Sequence, residues 1–238
     1  MNVKPASSTF LLLLLTIASL TGTSTAAYAQ VSSCSSDGFA APRALLERFI
    51  NADCEQCWAD AHTPEPAAGT LAIDWVTPGS RGDDAPMSAV ATRDASDRLG
   101  ALGKNAPAQS TTQFTQRAGD APIRMRVAHG LPFNDYVGAS IEMQPAPGGP
   151  WKAWLLLVET IPAGSEGSPV ERNLVRNTFV AEWPASKAPP RKRGSKLYEV
   201  RSMHIAEGTK FERLRVVGWV EDAKGRVRGI AESKCAGK

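Results

Sequence analysis

Apolar positions in this chain fall into two regimes. At 44–50, Leu45, Leu46, Phe49 and Ile50 crowd a short segment that context reads as a strand, and at 70–76 Leu71, Ile73 and Trp75 alternate along one strand face. Between them, Asn51 and Ala52 turn the chain and Asp53 is a natural N-cap, which predicts a short helix from Cys54 to about His62, stopped by Pro64 and Pro66. From 86 to 102 the spacing of Met87, Val90, Ala91, Leu99 and Leu102 forms one helical face. Strand, helix, strand, helix opens an α/β layer. After about Asp120 the period shortens. Ile123, Met125 and Val127 alternate with Arg124 and Arg126, and further strands are expected at 136–143, 151–159, 178–183, 197–205, 214–220 and 226–232. Asp222 to Gly225 supplies the turn of a closing hairpin. The expected organisation is an α/β domain over 30–120 followed by an antiparallel, β-rich, sandwich-like module over 121–238.

The N-terminus changes what the rest can mean. Lys4, the apolar run 10–20, and Ala27 and Ala29 before Gln30 have the form of a secretory signal peptide over 1–29. That run is well short of the roughly 20 residues a membrane span needs, so no stable span is expected and the chain is placed in the periplasm or secreted. Val31, Ser32 and Ser33 loosely resemble a lipobox, which would instead acylate Cys34; a polar stretch separates that cysteine from the apolar core.

Charge excludes one class of partner. With 27 Lys and Arg against 24 Asp and Glu, the net charge is +3, and nucleic-acid binding needs a far more concentrated basic footprint. Arg191, Lys192 and Arg193 lie in a Pro- and Gly-containing stretch that reads as a solvated loop. The segment Gly164 to Ser168 lacks a nucleophile-elbow pattern, which leaves a serine hydrolase without support.

Four cysteines in an exported chain allow three pairings. Close spacing favours Cys54 with Cys57, which leaves Cys34 to join Cys235 and tie the ends of the fold together. The first pair carries the candidate chemistry. Two thiols three positions apart at a helix start can close and reopen a disulfide, and the backbone N–H groups there favour a thiolate. By position Cys54 would attack and Cys57 resolve. Asp53 and Glu55 flank Cys54 with negative charge, which opposes the thiolate and argues for a moderate or weak exchanger. A static bridge in a non-catalytic envelope module is the alternative. A metal site would need His62, His129 or His204 to complete two sulfur ligands. No cofactor or metal is expected, and the expected partners are protein thiols or disulfides.

A strand, a turn, Cys54 and Cys57 at a helix start and a further strand together resemble the thioredoxin fold. The order of Leu46 to Phe49, Cys54 to Cys57, Leu71 to Trp75, Gly164 to Gly167, Asn173 to Arg176 and a terminal hairpin is similar to a secreted bacterial family catalogued as domain of unknown function 1223. That resemblance implies a thioredoxin-like domain with a β-rich extension. It also implies a cis-proline facing the disulfide, for which Pro107 is the nearest candidate, and a structural or interface role for Asn173 and Arg176. Thioredoxins place a Trp before the first cysteine; here Asp53 stands there and Trp58 follows the second.

Overall fold

The computed structural model describes residue 1 and residues 34–119, 123–144, 149–185 and 196–235. The signal segment, the basic cluster at 191–193 and the expected boundary at 120 lie outside them. From Cys34 onward the described residues belong to one compact unit.

The elements in order are β1 (Cys34–Ser35), β2 (Ala44–Asn51), α1 (Glu55–Trp58), β3 (Thr70–Thr77), α2 (Arg93–Ala101), β4 (Ser110–Gln116), β5 (Arg124–His129), β6 (Tyr136–Gln144), β7 (Trp151–Ile161), β8 (Arg172–Trp183), β9 (Leu197–His204), β10 (Leu214–Asp222) and β11 (Val227–Glu232). They build a four-stranded sheet, β1-β5-β6-β9, and a seven-stranded sheet, β11-β10-β7-β8-β3-β2-β4. The protein is mostly β.

The larger sheet corrects the expected division. It draws β2, β3 and β4 from before residue 120 and β7, β8, β10 and β11 from after it, joined where Asp74 of β3 pairs in parallel with Leu174 of β8. Both sets of strands end unfinished without the other, so hydrogen bonding carries the sheet across the expected boundary. β2 and β3 are parallel neighbours over their whole length, from Ala44 opposite Thr70 to Asn51 opposite Thr77. Enclosed by other strands and covered above and below, both are buried on both faces rather than one.

Two layers cover the sheet. Val127, Val137, Ile141 and Met143 of the smaller sheet pack on Trp151, Leu155, Leu157, Val216 and Val220 as a sandwich. On the opposite face, Ala95 and Leu99 of α2 close over Phe49, Trp75, Leu156 and Trp219. α2 is shorter than the segment 86–102. Ala95 N–H donates to the Thr92 hydroxyl at 3.2 Å, which starts the helix there, and Ser88–Val90 is only a 3-10 turn. The interior beneath it holds a charged group. Arg98 donates to both Glu47 oxygens at 2.8 Å and to Glu221 at 2.7 Å, and its guanidinium lies 4.7 Å and 4.9 Å from the Trp154 and Trp219 rings.

Close approach between the sheets depends on Gly218 in β10. A Cβ there would lie 2.8 Å from Ile141 Cδ1, 2.9 Å from the Trp154 carbonyl oxygen and 3.0 Å from Val127 Cγ1. Gly218→Val should therefore lower stability by about 1–3 kcal/mol through overpacking, measured as a lowered urea midpoint. An unchanged midpoint would mean the sheets are not in contact there.

Two strands exceed or escape the hydrophobic pattern. β4 is polar along most of its length and sits at the sheet edge, antiparallel to β2, so burial left no periodic signature in it. β8 begins at Arg172 rather than Thr178 because its polar first residues are paired: Asn173 N–H donates to Asp74 at 2.9 Å, Asn173 Nδ2 to the Ala72 carbonyl at 3.0 Å, and Arg176 Nε to Glu159 at 2.9 Å. The structural role read for Asn173 and Arg176 is the one they hold. The 222–225 hairpin forms as expected, with Gly225 at φ +70°.

Cys34 and Cys235 are joined across 201 residues of sequence. Cys34 pairs in register with His129 on β5, and Ser35 exchanges backbone hydrogen bonds with Lys234 just beyond β11. The bridge thus fastens the edge of one sheet to the end of the other. With its sulfur in that bond, Cys34 has no thiol to acylate.

Candidate thiol-disulfide site

β2 and β3 end side by side, and the chain leaving β2 carries the second disulfide, between Cys54 and Cys57. Asn51 organises that exit. Its backbone N–H donates to the Gln109 carbonyl at 2.7 Å and its side-chain amide to the Pro107 carbonyl at 2.9 Å. Its own side-chain oxygen accepts from Asp53 N–H at 2.9 Å. Cys54 N–H closes a turn onto the Asn51 carbonyl at 2.9 Å. Pro107 therefore lies beside the root of the loop, ahead of β4. Its preceding peptide is trans, however; the cis proline among the described residues is Pro150. The cis-proline expected from the thioredoxin resemblance is not at Pro107.

The helix is smaller than the sequence suggests. α1 is a single turn, with Cys54 at its N-cap position and no side-chain cap. Asp53 does not cap it because Asp53 faces the other way, accepting from Ser80 N–H at 2.7 Å, Ser80 Oγ at 2.8 Å and Arg81 N–H at 3.3 Å. The Ser80 hydroxyl and these N–H groups hold the Asp53 carboxyl below the usual carboxylate range. Gly79 makes the arrangement possible, since any Cβ would collide with the Asp53 carboxylate. One turn aligns too few peptide dipoles for the electropositive tip on which an acidic Cys54 was expected to depend.

Helix α1 ends early because its carbonyls have another partner. Arg172 of β8 is fully buried and reaches under the loop: its Nη2 donates to the Trp58 carbonyl at 2.8 Å, to Thr63 Oγ1 at 3.0 Å and, at 3.5 Å, to the Cys57 carbonyl. Its Nη1 donates to Asp74 at 3.0 Å and its Nε to Ser168 Oγ at 3.0 Å. Its guanidinium lies 4.9 Å from the Trp58 ring, and the Trp58 indole N–H donates to the Glu166 carbonyl at 2.8 Å. Arg48 completes the group, donating to Asp74 at 2.6 Å and to the Pro64 and Glu171 carbonyls at 3.1 Å and 3.0 Å. Two guanidinium groups share one carboxylate, so the buried cluster carries an excess positive charge. Burial lowers the Arg172 pKa from its ordinary value and the charge of Arg48 lowers it further, with Asp74 acting the other way.

The two cysteines are not equivalent. Cys54 is 3% exposed, whereas Cys57 is only partly buried, packed against the cluster that includes Ile50, Val76 and Ile161. Cys57 opens on a recess of about 40 Å³ lined also by Arg48, Asp60, Thr63, Thr111 and Arg172. Such a space holds a few waters at most. The accessible member of the pair is the second cysteine, opposite to the expected order.

The histidines read as possible ligands lie elsewhere. His62 is exposed beside Asp60, and His204 meets Tyr136 edge to face. Among the described residues, the one set of three or more ligand-type side chains close enough to share an ion is Cys34, His129 and Cys235, with ligand atoms within 4.8 Å. Its two sulfurs are spent in the disulfide. Sequence reading missed Arg48, Asp74 and Arg172. For Arg48 and Asp74 the signal was available as charges inside otherwise apolar strands, where a charge must have a partner; Arg172, at the polar start of β8, carried no such mark. No helix among the described residues is long and apolar enough to cross a membrane. No family model, no curated protein and no solved structure matches this chain.

Proposed function

We propose that this chain is an exported, thioredoxin-like thiol-disulfide exchange protein acting on protein thiols or disulfides through Cys54 and Cys57. The observation that carries the reading is the position of the pair: a disulfide of two nearby cysteines at the carboxyl ends of parallel β2 and β3, with one cysteine partly open to solvent. Open sheets with parallel strands place their reactive groups at that end. The order of elements supports the thioredoxin-like reading and the resemblance to domain of unknown function 1223. β4 lies antiparallel on the far side of β2 from β3, α2 falls between β3 and β4 in sequence, and Pro107 precedes β4. Two disulfides fit an oxidising compartment and the signal-like N-terminus.

A static bridge is the second reading, favoured by the burial of Cys54 and the small recess. The reduction potential of the Cys54/Cys57 couple decides between them. Exchange proteins poise between about −120 and −270 mV, whereas structural bridges fall below about −300 mV. The expected result is a potential above −300 mV together with catalysed reduction of insulin by dithiothreitol; a lower potential with no catalysis assigns the bridge to the scaffold.

A further inference from the structure

Resting on the exchange reading, we infer that the pair runs in reverse order, with Cys57 forming the mixed disulfide and Arg172 acting as a positioning residue whose charge favours the Cys57 thiolate. Three observations converge on this. Cys54 is 3% exposed and held in the turn that its N–H closes onto the Asn51 carbonyl, which leaves it little surface for a client sulfur to meet. Cys57 opens on the recess. The same recess is lined by Arg48 and Arg172, which share the one buried carboxylate of Asp74, while the further acid at the recess, Asp60, is half exposed.

The chemistry follows from the oxidised state in hand. A client thiolate attacks Cys57 Sγ, forming a bond between the client sulfur and Cys57; the bond between Cys54 and Cys57 breaks, and Cys54 leaves as a thiolate that takes a proton from solvent. The client's second thiolate then attacks its own sulfur in the mixed disulfide, and Cys57 leaves as a thiolate. The client dithiol loses two electrons and the pair gains them, so no other oxidant takes part. In both directions Cys57 is the sulfur that meets the client, and its thiolate is the nucleophile or the leaving group.

The charged side chains lining the recess with Cys57 are Arg48 from β2, Arg172 from β8 and Asp60 from the loop after α1; Asp74 of β3 pairs with both arginines, and Glu55 lies in α1 itself. Glu55 is exposed and the Asp60 side chain is half exposed, so water screens both acids. Arg48, Asp74 and Arg172 are buried, and their sum is positive. Asp53, the acid expected to oppose the thiolate, is turned toward Ser80 and Arg81.

The test uses the mature chain with the bridge between Cys34 and Cys235 intact, and oxidised glutathione as the probe. Cys54→Ser should form a glutathione adduct at Cys57 at least tenfold faster than Cys57→Ser forms one at Cys54, read by intact mass. Equal rates, or a faster Cys54, overturn the reversed order while leaving exchange standing. No adduct in either variant, with a wild-type potential below about −300 mV, removes both. In the Cys54→Ser background, Arg172→Met should slow iodoacetamide alkylation of Cys57 about tenfold at pH 7 and move its pH profile upward, with Arg172→Lys restoring most of the rate. Asp60→Asn, a substitution at a half-exposed rim position that folding tolerates, should raise the rate about twofold. A profile unmoved by Arg172→Met in folded protein, or by Asp60→Asn should Arg172→Met fail to fold, overturns the electrostatic role.

Discussion

Asp74→Asn should lower the free energy of unfolding by about 3–5 kcal/mol, since it removes the single carboxylate between two buried guanidinium groups. The loss exceeds that of an ordinary buried hydrogen bond because Arg48 and Arg172 are buried and cannot shed their charge. Asp74 also accepts from Asn173 N–H, so the substitution weakens the junction of β3 with β8. The damage should reach the site, because the same two arginines hold the carbonyls of Cys57, Trp58 and Pro64. Urea unfolding of the oxidised protein measures the first effect, and alkylation of the reduced pair measures the second. A loss below about 1 kcal/mol would show that water, and not Asp74, balances the two arginines.

The largest covalent contribution should come from the bridge between Cys34 and Cys235. Chain-entropy reasoning for a closure spanning 201 residues gives about 5 kcal/mol, an upper figure because measured values follow loop length only weakly. Cys34→Ser with Cys235→Ser should therefore shift the urea midpoint strongly, whereas Cys54→Ser with Cys57→Ser, which opens a far shorter loop, should shift it much less. The structural reason adds to the entropic one. β1 is two residues long, and its anchors are its pairing with β5, the backbone bonds to Lys234 and this bond. If the two double variants lost equal stability, the long bridge would not be constraining the unfolded chain.

Much of the architecture was legible because burial leaves periodic marks. The seven strands expected after residue 120 correspond to β5 through β11, and the turn at 222–225 forms where Asp222 and Gly225 place it. Both disulfides join the partners that spacing favoured. Features at the site were legible only in part. That Cys54 and Cys57 form a unit is a local fact of spacing. Which of them meets solvent depends on Asn51, Asp53 and Ser80, brought together by two strand ends and a loop. α1 fell short of its expected length for a similar reason: a guanidinium from β8, more than 110 residues away, takes the carbonyls that further helical turns would use.

Sequence by itself determined the strand periods, the closing hairpin and the pairing of Cys54 with Cys57, because each depends on residues close in sequence; with four cysteines, that pairing leaves Cys34 to Cys235 by elimination. Tertiary structure alone decided that both halves share one sheet, that Arg48, Asp74 and Arg172 meet beneath the cysteine loop, and that Cys57 is the more accessible cysteine. The physical reason is that a buried charge is tolerable only beside its partner, and these partners lie 26 and 98 residues apart along the chain. No local pattern encodes a pairing over that distance; the register of β2, β3 and β8 does.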